Sequence, residues 1–313
     1  MVRMMIERKV MKTECMSDPV VEEILEKYNI PKWTKPYICE YIGGWERNPI
    51  TAIKHAVSFI ETGRKKGEVT KSHVKLPNGV TFETPSITRL LGAFLYGEER
   101  LSQIYREWSA ETAGYGHAQY PYHFGKLAEM DEGHARAIKN IIDGFGKREE
   151  NPSEAMMGVF DYIGNLREWE ERAVATNILL KHSYAFIGQM LYRAFYRTSS
   201  EFMRSLGKAF DDDEDSEWLV EEARRIVAEG RIPRDRLREL SEEVLSRVMA
   251  SVNAEGAAAE SHGIEKEIEL LGKISIAHPL HNMNGMGASF DVDSEIKRIC
   301  ESSERFKAIS TKI

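Results

Sequence analysis

Four stretches of this chain carry apolar residues at alternating steps of three and four, and charged groups break into those stripes at positions the period turns inward. The first opens at Thr84-Pro85, an N-cap residue followed by proline at the first helical position, and runs through Ile87, Leu91, Phe94, Glu98, Leu101, Tyr105 and Trp108. The second contains Phe124, Leu127, Asp131, His134, Ile138, Ile141 and Phe145. The third runs from Val159 through Ile163, Leu166, Glu170, Ala173, Asn177 and Leu180 to Leu191. The fourth starts near Ser241 with Leu245, Val248, Val252, Glu255, Ala259 and His262. This spacing lines one face of a helix. Four such helices predict an all-α fold in which a four-helix bundle buries the stripes.

The rest of the chain divides around that bundle, which spans residues 85–276. Residues 1–84 form an N-terminal extension with short helices near 19–27 and 49–65 and a small β-hairpin, His73–Leu76 and Val80–Phe82 about the turn Pro77-Asn78-Gly79. Residues 197–240 are a charged insertion between the third and fourth helices, helical around Glu217–Glu229. Residues 277–313 are a loop after Pro279 and a last helix from about Ser294. The linker at 146–158 is long enough either to turn back or to run along the bundle, so length leaves both topologies open.

Glu98, Asp131, His134 and Glu170 sit inside the stripes with apolar neighbours a turn away on both sides. A buried ionised carboxylate without a partner costs several kcal/mol, so such groups are paired, protonated or bound to a cation. Asp131 and His134, three apart, share one helix face, the arrangement used by bundle metal sites. A salt-bridged polar network is the plain alternative for the same residues.

The strings Gly97-Glu98-Glu99-Arg100-Leu101 and Ala128-Glu129-Met130-Asp131-Glu132-Gly133-His134-Ala135 resemble the ferritin-like di-iron carboxylate superfamily over roughly residues 85–275. In that family the first helix supplies one carboxylate and the second a Glu-x-x-His. A weak repeat fits the likeness: Glu98-Glu99-Arg100 recurs as Glu170-Glu171-Arg172, and Asp131-Glu132-Gly133-His134 as Ala259-Glu260-Ser261-His262. The likeness implies two iron ions, or an iron–manganese pair. Glu98 and Glu170 would be terminal or bridging ligands, Asp131 a bridge, and His134 and His262 terminal imidazoles. Two departures stand out: Asp131 replaces the usual Glu, and Ala259 stands where a bridging carboxylate belongs. Glu255, or Glu260, then has to substitute; an incomplete site holds one metal or none.

Composition narrows the function classes. Forty-three basic against fifty acidic residues, a net charge of −7, speak against a nucleic-acid partner, which calls for a clustered positive face. No apolar run approaches the length of a membrane span. Three scattered cysteines point to a reducing, cytoplasmic compartment. The glycine patterns of phosphate-binding loops and of the serine nucleophile elbow are absent. The acidic run Asp211–Glu217 lacks the turn glycine of a calcium loop and reads as an acidic helix start.

The expectation is therefore a non-haem oxidoreductase acting on dioxygen or peroxide and a small or hydrophobic substrate, with an electron-donor protein and a homo-oligomeric state. A metal-free helical scaffold and a ferroxidase or peroxide scavenger are the rivals. His117 and His123 read as polar packing at one end of the bundle, and His278 and His281 as surface loop residues. Glu99, Glu132 and Glu171 fall off the stripes and read as solvated.

Overall fold

The computed structural model describes residues 68–69, 73–75, 81–144, 152–184, 217–257 and 265–310, with Glu26 and Lys35. Among these the chain is helical apart from three short strands. Strands β1 (Glu68–Val69), β2 (His73–Lys75) and β3 (Thr81–Glu83) pair antiparallel in the order β1-β2-β3, with Val74 opposite both Val69 and Phe82. The helices are α1 (Thr84–Ser109), α2 (Gln119–Gly144), α3 (Glu154–Gly164), α4 (from Trp169), α5 (Glu217–Ala228), α6 (Arg234–Ala257), α7 (Glu265–Gly285) and α8 (Val292–Ser310). The expected short helices near 19–27 and 49–65 and most of the insertion at 197–216 lie outside the described residues.

Helices α1 and α2 form an antiparallel hairpin. Contacts run in opposite directions along the two helices: Glu98 meets His134, the Ser102 hydroxyl donates to the Ala128 carbonyl, and Ser109 lies against Gly125. Ile104, Trp108, Phe124, Leu127 and Ile138 fill the buried seam. Helix α6 packs against α3, α7, α8 and α4, so Leu240, Leu245 and Val248 sit at the centre of the second half of the molecule.

The third sequence helix is two helices. Helix α3 begins at Ser153, whose hydroxyl accepts from the Met156 amide. It stops at Asn165, whose side-chain amide donates to the Asp161 carbonyl at 2.7 Å. Leu166 then turns into the core, and its carbonyl accepts from Arg172 Nε at 3.0 Å. Gly164 permits this crossing: a Cβ there would stand 3.3 Å from Ile104. Helical periodicity continues across such a break because the core needs Ile163 and Leu166 on the same side either way.

Helix α4 carries a second irregularity. Residues Ala175–Leu180 form a π-helical turn, flanked by α-helix at Trp169–Val174 and at 181–184. The Thr176 hydroxyl donates to the Arg172 carbonyl, and Asn177 Nδ2 to Ala173. A π turn inserts residues relative to α-helical spacing and so rotates everything downstream. His182, off the predicted stripe, is consequently mostly buried.

Two other expectations change. Helix α7 passes through Pro279 and ends only at Gly285, where Met286, Gly287 and Ala288 donate back to Asn282, Asn284 and Met283. His278 and His281 are therefore helical and partly buried, not surface loop residues. Helix α5 ends in a Schellman turn: Gly230 has φ +65°, its amide donates to Val227, and Arg231 donates to Ile226.

Candidate metal centre

The hairpin of α1 and α2 brings three of the expected ligands together. Glu98 projects from the middle of α1, and Asp131 and His134 from one face of α2. One ligand atom from each lies within 4.8 Å of the others. His134 Nδ1 approaches Glu98 Oε2 at 3.3 Å. Asp131 is the most enclosed of the three, and its Oδ2 has no hydrogen-bond partner. Burial drives its carboxyl well above the usual range, and the Glu98 charge adds to that; His134 and Lys181 oppose the rise.

That combination fits a divalent cation. A buried carboxylate oxygen with no donor forgoes an interaction it would have had in water. Two carboxylates and an imidazole form a hard oxygen and nitrogen donor set suited to Fe(II), Mn(II) or Zn(II). The surroundings are apolar: Leu127, Ile138 and Tyr105 are buried. The buried Tyr105 phenol has its pKa raised, first by burial and then by the Asp131 charge, while a hydrogen bond with Thr176 lowers it.

The other expected ligands do not join this cluster. Glu170, at the start of α4, pairs with Arg231 Nη2 at 2.9 Å and lies 3.9 Å from His117 Nδ1. Breaking the third helix at Asn165 lets Glu170 begin a new helix beside the α5–α6 connection instead of facing Glu98. Glu255 accepts from the Ser153 backbone amide at 2.8 Å and pairs with Arg89 at 3.5 Å, at the start of α3. His262 and Glu260 lie outside the described residues, as does Ala259.

The repeated Glu-Glu-Arg string thus leads to two different settings. Glu171, expected to be solvated, is buried and receives a bidentate bond from Arg236 at 2.7 and 2.8 Å. Arg172 is almost fully enclosed between the rings of Trp108 and Trp169 and holds Glu111 with two bonds. Glu132 pairs with Arg106 at the surface. A cleft of about 420 Å³ opens at the Asn165–Glu168 break, lined by Tyr162, Arg236 and Glu243 among others, and includes none of the three clustered ligands.

Sequence reasoning missed Lys181, whose charge reaches Asp131. The stripe placed it off the core face, and the π turn that rotates it inward has no sequence signature beyond the adjacent Thr176-Asn177, whose side chains bond back to the helix. His182 and His278 form a second neutral pair. Their rings are 5.5 Å apart, Asn282 Nδ2 donates to His182 Nδ1, and His278 Nδ1 donates to the His182 carbonyl. Burial and the neighbouring His278 push the His182 pKa down to about 4.

No family model, curated protein or solved structure matches the chain.

Proposed function

We propose that the chain is a ferritin-like non-haem metal oxidoreductase in which Glu98, Asp131 and His134 hold a redox-active divalent ion that works with dioxygen or peroxide. The observation that carries this reading is the buried, unpartnered Asp131 oxygen beside a second carboxylate and an imidazole. Iron or manganese held there supplies Lewis acidity and one-electron redox chemistry.

The chain's own residues prepare the position. Helix packing places the three ligands before any ion arrives, so little ordering accompanies binding. Leu127 and Ile138 keep water from the carboxylates, which strengthens their attraction for a cation. Lys181 adds a positive field that favours one metal over two. A second ion, as the di-iron pattern requires, needs ligands from elsewhere, and the 258–264 segment with His262 is the place in the sequence that offers them.

Metal analysis tests the reading. After loading with iron(II) or manganese(II) and removal of excess, about one ion per chain is expected, and Asp131→Asn or Glu98→Ala should lose it. Retention below roughly 0.2 ion per chain in the native sequence sinks the proposal. A metal-free scaffold is the second reading, supported by the commitment of Glu170 to Arg231 and of Glu255 to Ser153 and Arg89.

A further inference from the structure

A continuous stack of aromatic rings leads away from the metal centre. Tyr105, one heptad beyond Glu98 on α1, stacks on Phe124 with centroids 5.4 Å apart and lies 5.8 Å from Trp108. Phe124 meets Trp108 at 4.9 Å and Trp169 at 6.2 Å. Trp169 stacks on Tyr120 at 5.6 Å, and Tyr120 meets Trp218 edge-on at 5.2 Å. Trp218 in turn lies flat on His123 at 4.6 Å. Electronic coupling falls off exponentially with distance, so a series of gaps this short carries an electron where one long step would not.

Within this stack Tyr120 differs from its neighbours. It is buried, and its hydroxyl donates to Glu222 Oε1 at 3.1 Å. Glu222 is itself buried and is held by Arg231 at 2.5 Å and Arg225 at 2.7 Å. We propose that Tyr120 is a redox-active tyrosine whose phenol proton passes to Glu222 when an electron leaves the ring. The oxidised phenol is a strong acid, so even a carboxylate steadied by two arginines accepts its proton. Trp108 and Trp169 serve as transit points only, because the Arg172 guanidinium over both faces opposes a lasting positive charge there. On Tyr120 proton loss removes that charge, and the oxidised state comes to rest.

The step balances. One electron leaves the ring, the phenol O–H bond breaks, and a new O–H bond forms on Glu222, giving a neutral phenoxyl beside a neutral acid. Peroxide, reduced to water at the Glu98–Asp131–His134 site, is the oxidant, and for this supply alone the inference rests on the metal reading.

The test begins without metal. Flash photo-oxidation of the metal-free protein by tris(bipyridine)ruthenium with a cobalt(III) quencher, followed by freezing and electron paramagnetic resonance, should give a slowly decaying tyrosyl signal. The exposed Tyr115 and Tyr122 react as well, but their radicals decay quickly, and the slow signal should persist in the Y115F/Y122F variant. It should vanish in Y120F. In E222Q it should form about 100-fold more slowly, as expected when a positioned base is removed. A slow signal of native size in Y120F, or a native formation rate in E222Q, overturns the proposal. Circular dichroism shows that each variant is folded. The iron(II)-loaded protein mixed with peroxide should give the same signal. Its absence there, with the photochemical signal intact, removes the metal centre as oxidant while upholding Tyr120 and Glu222.

Discussion

Glu98 and Glu170 begin the same Glu-Glu-Arg string on the same kind of apolar stripe, yet their surroundings are opposite. Around Glu170, Arg231 bridges two carboxylates and Tyr120 donates to one of them, so every charge has a partner. Around Glu98, a buried aspartate keeps an oxygen without a donor. The difference teaches that a charge on a core stripe announces a need rather than a function. Arginine meets the need in one place, and in the other it is left for a cation.

Several experiments would break or sharpen that contrast. The largest effect is expected from Arg231→Met, which strands Glu222 in the core. Loss of one partner from a buried ion pair costs about 4 kcal/mol, read by urea unfolding, with metal stoichiometry unchanged. A small loss would show that Glu170 and Glu222 do not depend on arginine.

His182 extends the contrast to a buried base kept neutral. Its pKa is about 4 in the fold against an ordinary 6.5. Between those values the unfolded chain binds more protons, so stability falls as pH drops from 6.5 towards 4 and is unaffected above that window. The full shift corresponds to about 3 kcal/mol. His182→Gln should flatten the pH dependence of the urea midpoint in this window; an unchanged slope would count against a neutral His182.

Metal loading probes the Glu98 side directly. At a hundred times the dissociation constant, manganese(II) should stabilise the native sequence by about 2.7 kcal/mol in thermal unfolding, and Asp131→Asn should abolish the gain. Without metal, Asp131→Asn should itself stabilise the fold by about 1 kcal/mol, since it removes a buried charge and functional sites commonly trade stability for activity. Destabilisation of the metal-free variant would mean that Asp131 is better paired than its geometry shows.

The smallest effect belongs to Glu170→Gln. A partly exposed pair with Arg231 contributes under about 1 kcal/mol, and metal content should not change. Loss of metal in this variant would restore Glu170 to the ligand set and refute the division drawn between the two regions.

How much of this was legible beforehand follows from what periodicity records. The first two stripes predict α1 and α2, their antiparallel meeting and the Glu98–Asp131–His134 cluster, because a three-residue offset on one helix face survives any packing of that helix. The third stripe gives no sign of the break at Asn165. Local signals for a stop, one glycine and one asparagine, are too common to read as such, and the apolar period continues across it. Pro279 misled in the opposite direction. Proline disfavours a helix interior, yet helix α7 runs through it with Ile276, Ala277, Leu280 and Met283 all buried.

The sequence by itself determined that the chain is helical and that charged groups lie on core-facing stripes, since both are properties of spacing along a helix. Only the tertiary structure decided which of those charges find arginine and which converge on one another. That outcome depends on where helices stop and how they rotate: the break at Asn165 carries Glu170 to Arg231, and the π turn at Ala175–Leu180 turns Lys181 towards Asp131. Partners supplied by other helices leave no trace in the period of the helix that needs them.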